Sequence, residues 1–200
     1  MIRAFLAVSL VLVACAPSPE VPAERVTEHE ISSGQREIDS PAGPFSFAPN
    51  LLAVGDDLIL SWLEQSEQPS GDPYHRLQVS RLVSGSWSAP VVVAEGADFF
   101  ANWADIPAVA AAGDGTLYAH WLAKTGTDTY AYSIFLARSV DDGVSWTPMG
   151  PLNDDSTLTE HGFVSFVTRD EGVRAFWLDG RQMAEDGPMN MRTATISPVS

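Results

Sequence analysis

Beyond residue 44, apolar and polar positions alternate at period two in run after run. Leu58, Leu60 and Trp62 share one parity, as do Leu117, Ala119 and Trp121, and then Val173, Ala175 and Trp177. Alternation of this kind, rich in β-branched and aromatic residues, predicts strands with one face turned to a core. Each run follows a turn signal: Gly55-Asp56-Asp57, Gly113-Asp114-Gly115 and Asp170-Glu171-Gly172. Glycine and aspartate tolerate the positive φ that tight hairpins require. No stretch in this part of the chain carries an apolar stripe at period 3.6, so the pattern predicts an all-β fold. Strands are expected at 48–54, 58–64, 75–83 and 87–94, at 106–112, 116–123, 131–139 and 145–152, and at 162–168, 172–178 and 189–196.

The same pattern repeats. Segments beginning at Pro49, Pro107 and Phe163 align with one another, and their Trp-Leu pairs (Trp62-Leu63, Trp121-Leu122, Trp177-Leu178) stand 59 and 56 residues apart. Trp87 and Trp146 are also 59 residues apart. Two markers on one period define a repeating unit. Units of four antiparallel strands at this spacing read as β-propeller blades, two full and most of a third. A stack of three blades would leave a long unpaired edge. The expectation is therefore that the sequence is truncated or that the missing blades come from another chain.

Charge narrows the partners. Lys and Arg total 11 against 26 Asp and Glu, a net charge of −15, and Lys124 is the only lysine. Such a field argues against nucleic acid and anionic lipid surfaces. Residues 16–44 are rich in Pro, Glu and Ser without apolar periodicity, the composition of a solvated tether. Residues 45–200 then hold the blades.

The first fifteen residues read as a processing signal. Arg3 precedes the apolar run Ala4 to Val13, which has about half the roughly 20 residues needed to span a bilayer. The run ends in Leu12-Val13-Ala14-Cys15, which resembles a bacterial lipobox. That resemblance implies cleavage before Cys15, lipidation of its thiol, and a membrane partner through the anchor, at the outer membrane or cell surface. Cys15 is the sole cysteine, so no disulfide framework exists.

The turn Ser139-Val140-Asp141-Asp142-Gly143-Val144-Ser145-Trp146 carries Ser, Asp, Gly and Trp at the spacing Ser-x-Asp-x-Gly-x-x-Trp. It resembles the Asp-box (BNR repeat) of sialidase-like β-propellers over Ser139, Asp141, Gly143 and Trp146. Locally, Asp141 can accept from turn amides and Gly143 can take a left-handed conformation. The first unit keeps only Trp87 of this motif. The resemblance covers residues 45–200 and implies a propeller that closes with six blades. It is a structural motif, and non-enzymes carry it too.

Geometry sorts the loops. First-to-second and third-to-fourth turns of each blade share one face, with the Asp-box among them. The opposite face carries 65–74, 95–105, 124–130, 153–161 and 179–188, where propeller sites sit. Candidate ligand-binding residues there are Asn102, Trp103, Asp105, Lys124, Tyr130, His161, Asp179 and Arg181, with Asp72, Asp128 and Glu160 alongside. Trp103 either packs between blades or offers a stacking surface to sugars. The sialidase resemblance implies a Tyr nucleophile with a Glu partner, an Asp acid/base and three arginines on the substrate carboxylate. Asp72 lies where the acid/base is expected. The stretch matching the Phe/Tyr-Arg-Ile-Pro motif is Phe45-Ser46-Phe47-Ala48-Pro49, which has no arginine. The histidines (His29, His75, His120, His161) show no metal spacing, no phosphate loop opens a helix, and no cofactor is implied. Two readings follow: a non-catalytic propeller that binds glycan or protein on its loop face, or a sialidase-like hydrolase completed by further blades.

Overall fold

The computed structural model describes residues 38–170 and 172–197. The signal segment with Cys15, and the tether residues before 38, lie outside the described residues. Three antiparallel sheets follow one another along the chain. The first holds β1 (Ser46–Val54), β2 (Asp57–Glu67), β3 (Pro73–Val83), β4 (Ser86–Trp87) and β5 (Val91–Gly96). The second holds β6 (Val109–Ala111), β7 (Leu117–Lys124), β8 (Tyr132–Ser139) and β9 (Thr147–Pro151). The third holds β10 (His161–Thr168), β11 (Val173–Asp179) and β12 (Asn190–Ile196). These are β-propeller blades, and every expected strand is present.

One strand differs from expectation. The single run expected at 87–94 is broken into β4, which pairs with Leu82 and Val83, and β5, which pairs with His75 to Val79. Pro90 lies in the gap; it has no N–H to give to the ladder, so the edge strand lets go of β3 and rejoins it further along.

Blade stacking buries both faces of the central strands. On β7, Leu117, Ala119, Trp121 and Ala123 pack toward the first blade, with Ile59, Leu63, Leu77 and Val79. The other parity of β7, Tyr118 and Leu122, packs toward the third blade with Val173, Ala175 and Trp177. A row of rings crosses the first interface: Phe99 stacks on Trp121 at 6.2 Å, and Trp121 on Phe135 at 6.0 Å.

The Ser139–Trp146 turn is closed by its own side chains. Asp141 accepts from the Ser145 amide at 2.9 Å, and both the Gly143 amide and the Asp141 carboxylate meet Ser139 Oγ, at 2.9 and 2.7 Å. Asp142 (φ 59°) and Gly143 (φ 86°) carry the left-handed bend. These donors hold the Asp141 carboxyl down at about 2, the Ser145 hydroxyl being the largest influence. Trp146 is partly buried against the core shared by the first two blades. Arg81 of β3 reaches across to Asp142 at 2.8 Å while also holding Asp57 at 3.0 Å. Arg81 thus ties the first hairpin turn to this one, and the Gly113 amide ties the second to the third through the Arg169 carbonyl, as expected of turns that share a face.

The innermost strands end at the loop face in bulges. The register of β1 shifts between Phe47 and Asn50, with Ala48 at φ 53°; that of β10 shifts between Gly162 and Ser165, with Phe163 at φ 54°. Bulges of this kind re-aim the chain at a sheet edge.

Candidate functional site

The loop face between the second and third blades brings together three loops: 125–131, 152–160 and 180–189. Their contacts begin with backbone. Tyr132 pairs with Glu160 in an isolated parallel bridge, and the Gly180 amide donates to the Glu160 carbonyl at 2.8 Å. A cavity of about 390 Å³ opens between them. Asp128, Thr129 and Tyr130 form one wall, Leu158, Thr159 and Glu160 the other, and Met183 one end. Tyr130 is 61% exposed.

Glu160 is anchored from below. The Tyr132 hydroxyl donates to Glu160 Oε1 at 2.7 Å, and the Tyr132 ring stacks on Phe100 at 3.9 Å. Tyr132 is buried; burial first, then the Glu160 carboxylate, push its phenol far above the ordinary range. It is a neutral donor. Lys124 is exposed, with Nζ 6.0 Å from the Phe100 ring on the same column.

Beneath the adjoining loops lies an ion-paired network. Arg181 opens a short 3-10 turn (Arg181–Glu185) that carries Met183 into the cavity wall. Its guanidinium reaches Asp179 at 2.7 Å, Asp154 at 2.7 Å and Asp155 at 3.3 Å. Asp179 also accepts from Trp177 Nε1 at 2.9 Å. Burial acts to raise the Asp179 carboxyl, but the Arg181 and Trp177 hydrogen bonds outweigh it and bring the group down to about 2. The same contacts, Asp179 foremost, raise Arg181. His161 is fully buried. Its Nδ1 faces the carbonyls of Thr159 at 3.0 Å and Tyr132 at 3.3 Å, and its Nε2 lies 3.1 Å from Asp155 Oδ1 without hydrogen-bond alignment.

Asp155, His161 and Asp179 offer three potential metal-ligand atoms within 4.8 Å of one another. Arg181 already sits among those oxygens and Arg192 Nε lies 3.7 Å from Asp179, so protein cations offset part of their charge.

The sequence candidates thus fall into distinct groups. His161 and Asp179 are interior, and Arg181 is committed to three aspartates; they brace the loops and do not face solvent together. Asn102 and Asp105 shape one turn: Asn102 Oδ1 accepts from the amides of Ala104 and Asp105, at 2.7 and 2.8 Å, and Asp105 Oδ1 accepts from the Phe163 amide at 2.7 Å. At the apex of that turn Trp103 is 90% exposed, so it does not pack between blades. Tyr130 and Glu160 line the cavity. Asp72 is exposed in the β2–β3 loop of the first blade, and its carboxylate makes no hydrogen bond or ion pair among the described residues.

Several residues of the site were not singled out from sequence. Tyr132 falls inside the strand expected at 131–139 and was given no role there. Asp154 and Asp155 were hidden in the polar run Asn153 to Thr157, where every residue looks like solvated loop. A Tyr at the loop end of a buried strand, facing a Glu from the next connection, is the signal that could have marked the pair.

Solved structures share this fold. An α-L-arabinanase from Penicillium chrysogenum, complexed with arabinobiose, matches with a TM-score of 0.50 at 17% identity, over 78% of this chain and 50% of that chain. The GH93 α-L-arabinofuranosidase of Fusarium graminearum with arabinobiose matches with a TM-score of 0.50 at 17% identity, over 76% of this chain and 46% of that chain. The fold is that of glycoside-hydrolase propellers. At this identity the likeness concerns the fold alone. The chain spans about half the length of these enzymes. No family model matches the chain, and no curated protein sequence does.

Proposed function

We propose that this chain is a glycan-binding propeller module that is non-catalytic in itself. The observation that carries this reading is the pairing, on the loop face, of exposed aromatic rings (Trp103 and Tyr130) with a cavity walled by carboxylate and hydroxyl groups. Aromatic faces stack on the C–H faces of sugars, and carboxylates accept from their hydroxyls.

The chemistry for hydrolysis is not assembled here. Tyr132 and Glu160 have the composition of a sialidase nucleophile pair, yet Tyr132 is buried under Phe100 and held neutral. A nucleophile needs the opposite: access and an activating base. Asp72 belongs to another blade and has no partner among the described residues. The missing arginine in Phe45–Pro49 argues against a sialic acid carboxylate.

A second reading is a glycoside hydrolase whose site is completed by further blades. The observation favouring it is that this chain covers only about half of each matching arabinan-active enzyme. In either case the lipobox at Cys15 suggests a protein exported and tethered to a membrane.

One experiment tests both parts of the main reading. The purified chain is run through gels containing immobilised polysaccharides, arabinan among them, and separately incubated with fluorogenic arabinofuranoside and sialoside. Retardation by a polysaccharide with no release of fluorophore is the expected result. Turnover above the rate of a Glu160→Gln/Asp72→Asn double variant would overturn the non-catalytic reading, and failure to bind any polymer would overturn the glycan reading.

A further inference from the structure

We infer that the cavity between residues 128–130, 158–160 and Met183 is an uncharged-saccharide site, with Tyr130 as its stacking platform and Glu160 as its hydroxyl acceptor. This rests on the glycan reading above and narrows it to one pocket and one ligand class.

Charge decides the class. The walls carry two carboxylates, Asp128 and Glu160, and no cationic side chain. An anionic sugar would have to enter beside both, in a protein of net charge −15. Like charges brought side by side oppose binding unless cations intervene. Arg181 has its guanidinium held by Asp154, Asp155 and Asp179, and Lys124 rests over the Phe100 ring outside the cavity walls. A neutral sugar faces no such penalty, and its hydroxyls are donors that two carboxylates can accept.

Preorganisation decides the residues. The Tyr132 hydroxyl fixes Glu160 Oε1 at 2.7 Å, and Oε2 has no hydrogen-bond partner among the described residues. A carboxylate held this way loses little freedom when a ligand hydroxyl arrives. Tyr130, 61% exposed on the opposing wall, offers the apolar face of its ring at small entropic cost. The volume of about 390 Å³ lies within the range of about 300–1,000 Å³ usual for small-ligand sites. Arg181 is a positioning residue for this pocket: it ties the 152–160 loop to the 3-10 turn that carries Met183.

The test compares neutral polymers (arabinan, galactan, xylan) with acidic ones (polygalacturonate, polysialic acid) by affinity electrophoresis of the full chain. The expected result is retardation by at least one neutral polymer and by neither acidic one. Affinity should fall about tenfold or more in Tyr130→Ala and in Glu160→Gln, and in Tyr132→Phe to a smaller degree. Tyr130 is exposed, so Tyr130→Ala keeps the fold and decides the matter if the Glu160 variant does not. Retardation by the acidic polymers alone overturns the ligand class while leaving the glycan reading intact. Neutral binding that survives Tyr130→Ala and Glu160→Gln but is lost in Trp103→Ala overturns the pocket and moves glycan recognition to the 102–105 turn. Binding to no polymer overturns both inferences.

Discussion

His120 shows what a single side chain meets when blades stack. It is 3% exposed, its two ring nitrogens have no hydrogen-bond partner among the described residues, and it meets Phe166 of the third blade edge-on at 5.2 Å. Desolvation lowers its pKa from 6.5 to about 3. Below pH 6.5 the unfolded chain therefore takes up a proton that the folded chain refuses, and stability falls as pH drops through the window from 6.5 to about 3. Over the 1.5 units from pH 6.5 to pH 5 this amounts to about 2 kcal/mol. His120→Leu removes that loss, so the stability of the variant relative to the parent should rise by about 2 kcal/mol between pH 7 and pH 5 in urea titrations. His75 is shifted in the same direction by burial but is present in both proteins, so it drops out of the difference. The depressed Asp141 and Asp179 act lower, between their ordinary value of 3.8 and about 2. A difference that does not change with pH would show that His120 is not desolvated as described.

At the scale of the element, hairpin glycines share a conformation but not an environment. Gly55, between β1 and β2, has φ 61° and open space where a Cβ would stand. Gly172, between β10 and β11, has φ 78°, and a Cβ there would collide with the Ile196 carbonyl oxygen on β12. Gly55→Ala should therefore cost only the left-handed strain, about 1 kcal/mol. Gly172→Ala must also displace backbone that pairs with β11, and should lower the thermal midpoint well beyond the Gly55 variant. Equal midpoints would mean that the third blade yields freely at its turn. Sequence reading treated the three turns alike, since Gly and Asp report dihedral preference and say nothing of what the next strand places beside them. The same limit applied to β4 and β5, where alternation ran through Pro90 and only the missing N–H broke the pairing.

At the scale of the whole molecule, the interface between the first two blades is the largest shared core. Trp121, 9% exposed, lies between Phe99 and Phe135 there. Trp121→Ala should cost about 3–5 kcal/mol in chemical denaturation, with a single transition and an unchanged slope. Two transitions in the variant would show that the blades unfold separately once the ring column is cut.

The strands, their turns and the blade repeat were determined by sequence alone, because alternation, Gly-Asp turns and paired tryptophans are local or periodic properties. So was the sorting of loops to two faces, which follows from antiparallel connectivity. What only the tertiary structure decided was the meaning of the polar residues on those loops. His161, Asp179 and Arg181 read as open candidates, and packing closed them into a network with Asp154 and Asp155. Tyr132 was no more than one position of an expected strand, and packing placed its hydroxyl under Glu160. The reason is physical: an ionisable side chain takes its role from partners tens of residues away, and no local pattern encodes those partners. The second buried face of β7, with Tyr118 and His120 on it, was likewise fixed by the neighbouring blade and not by its own alternation.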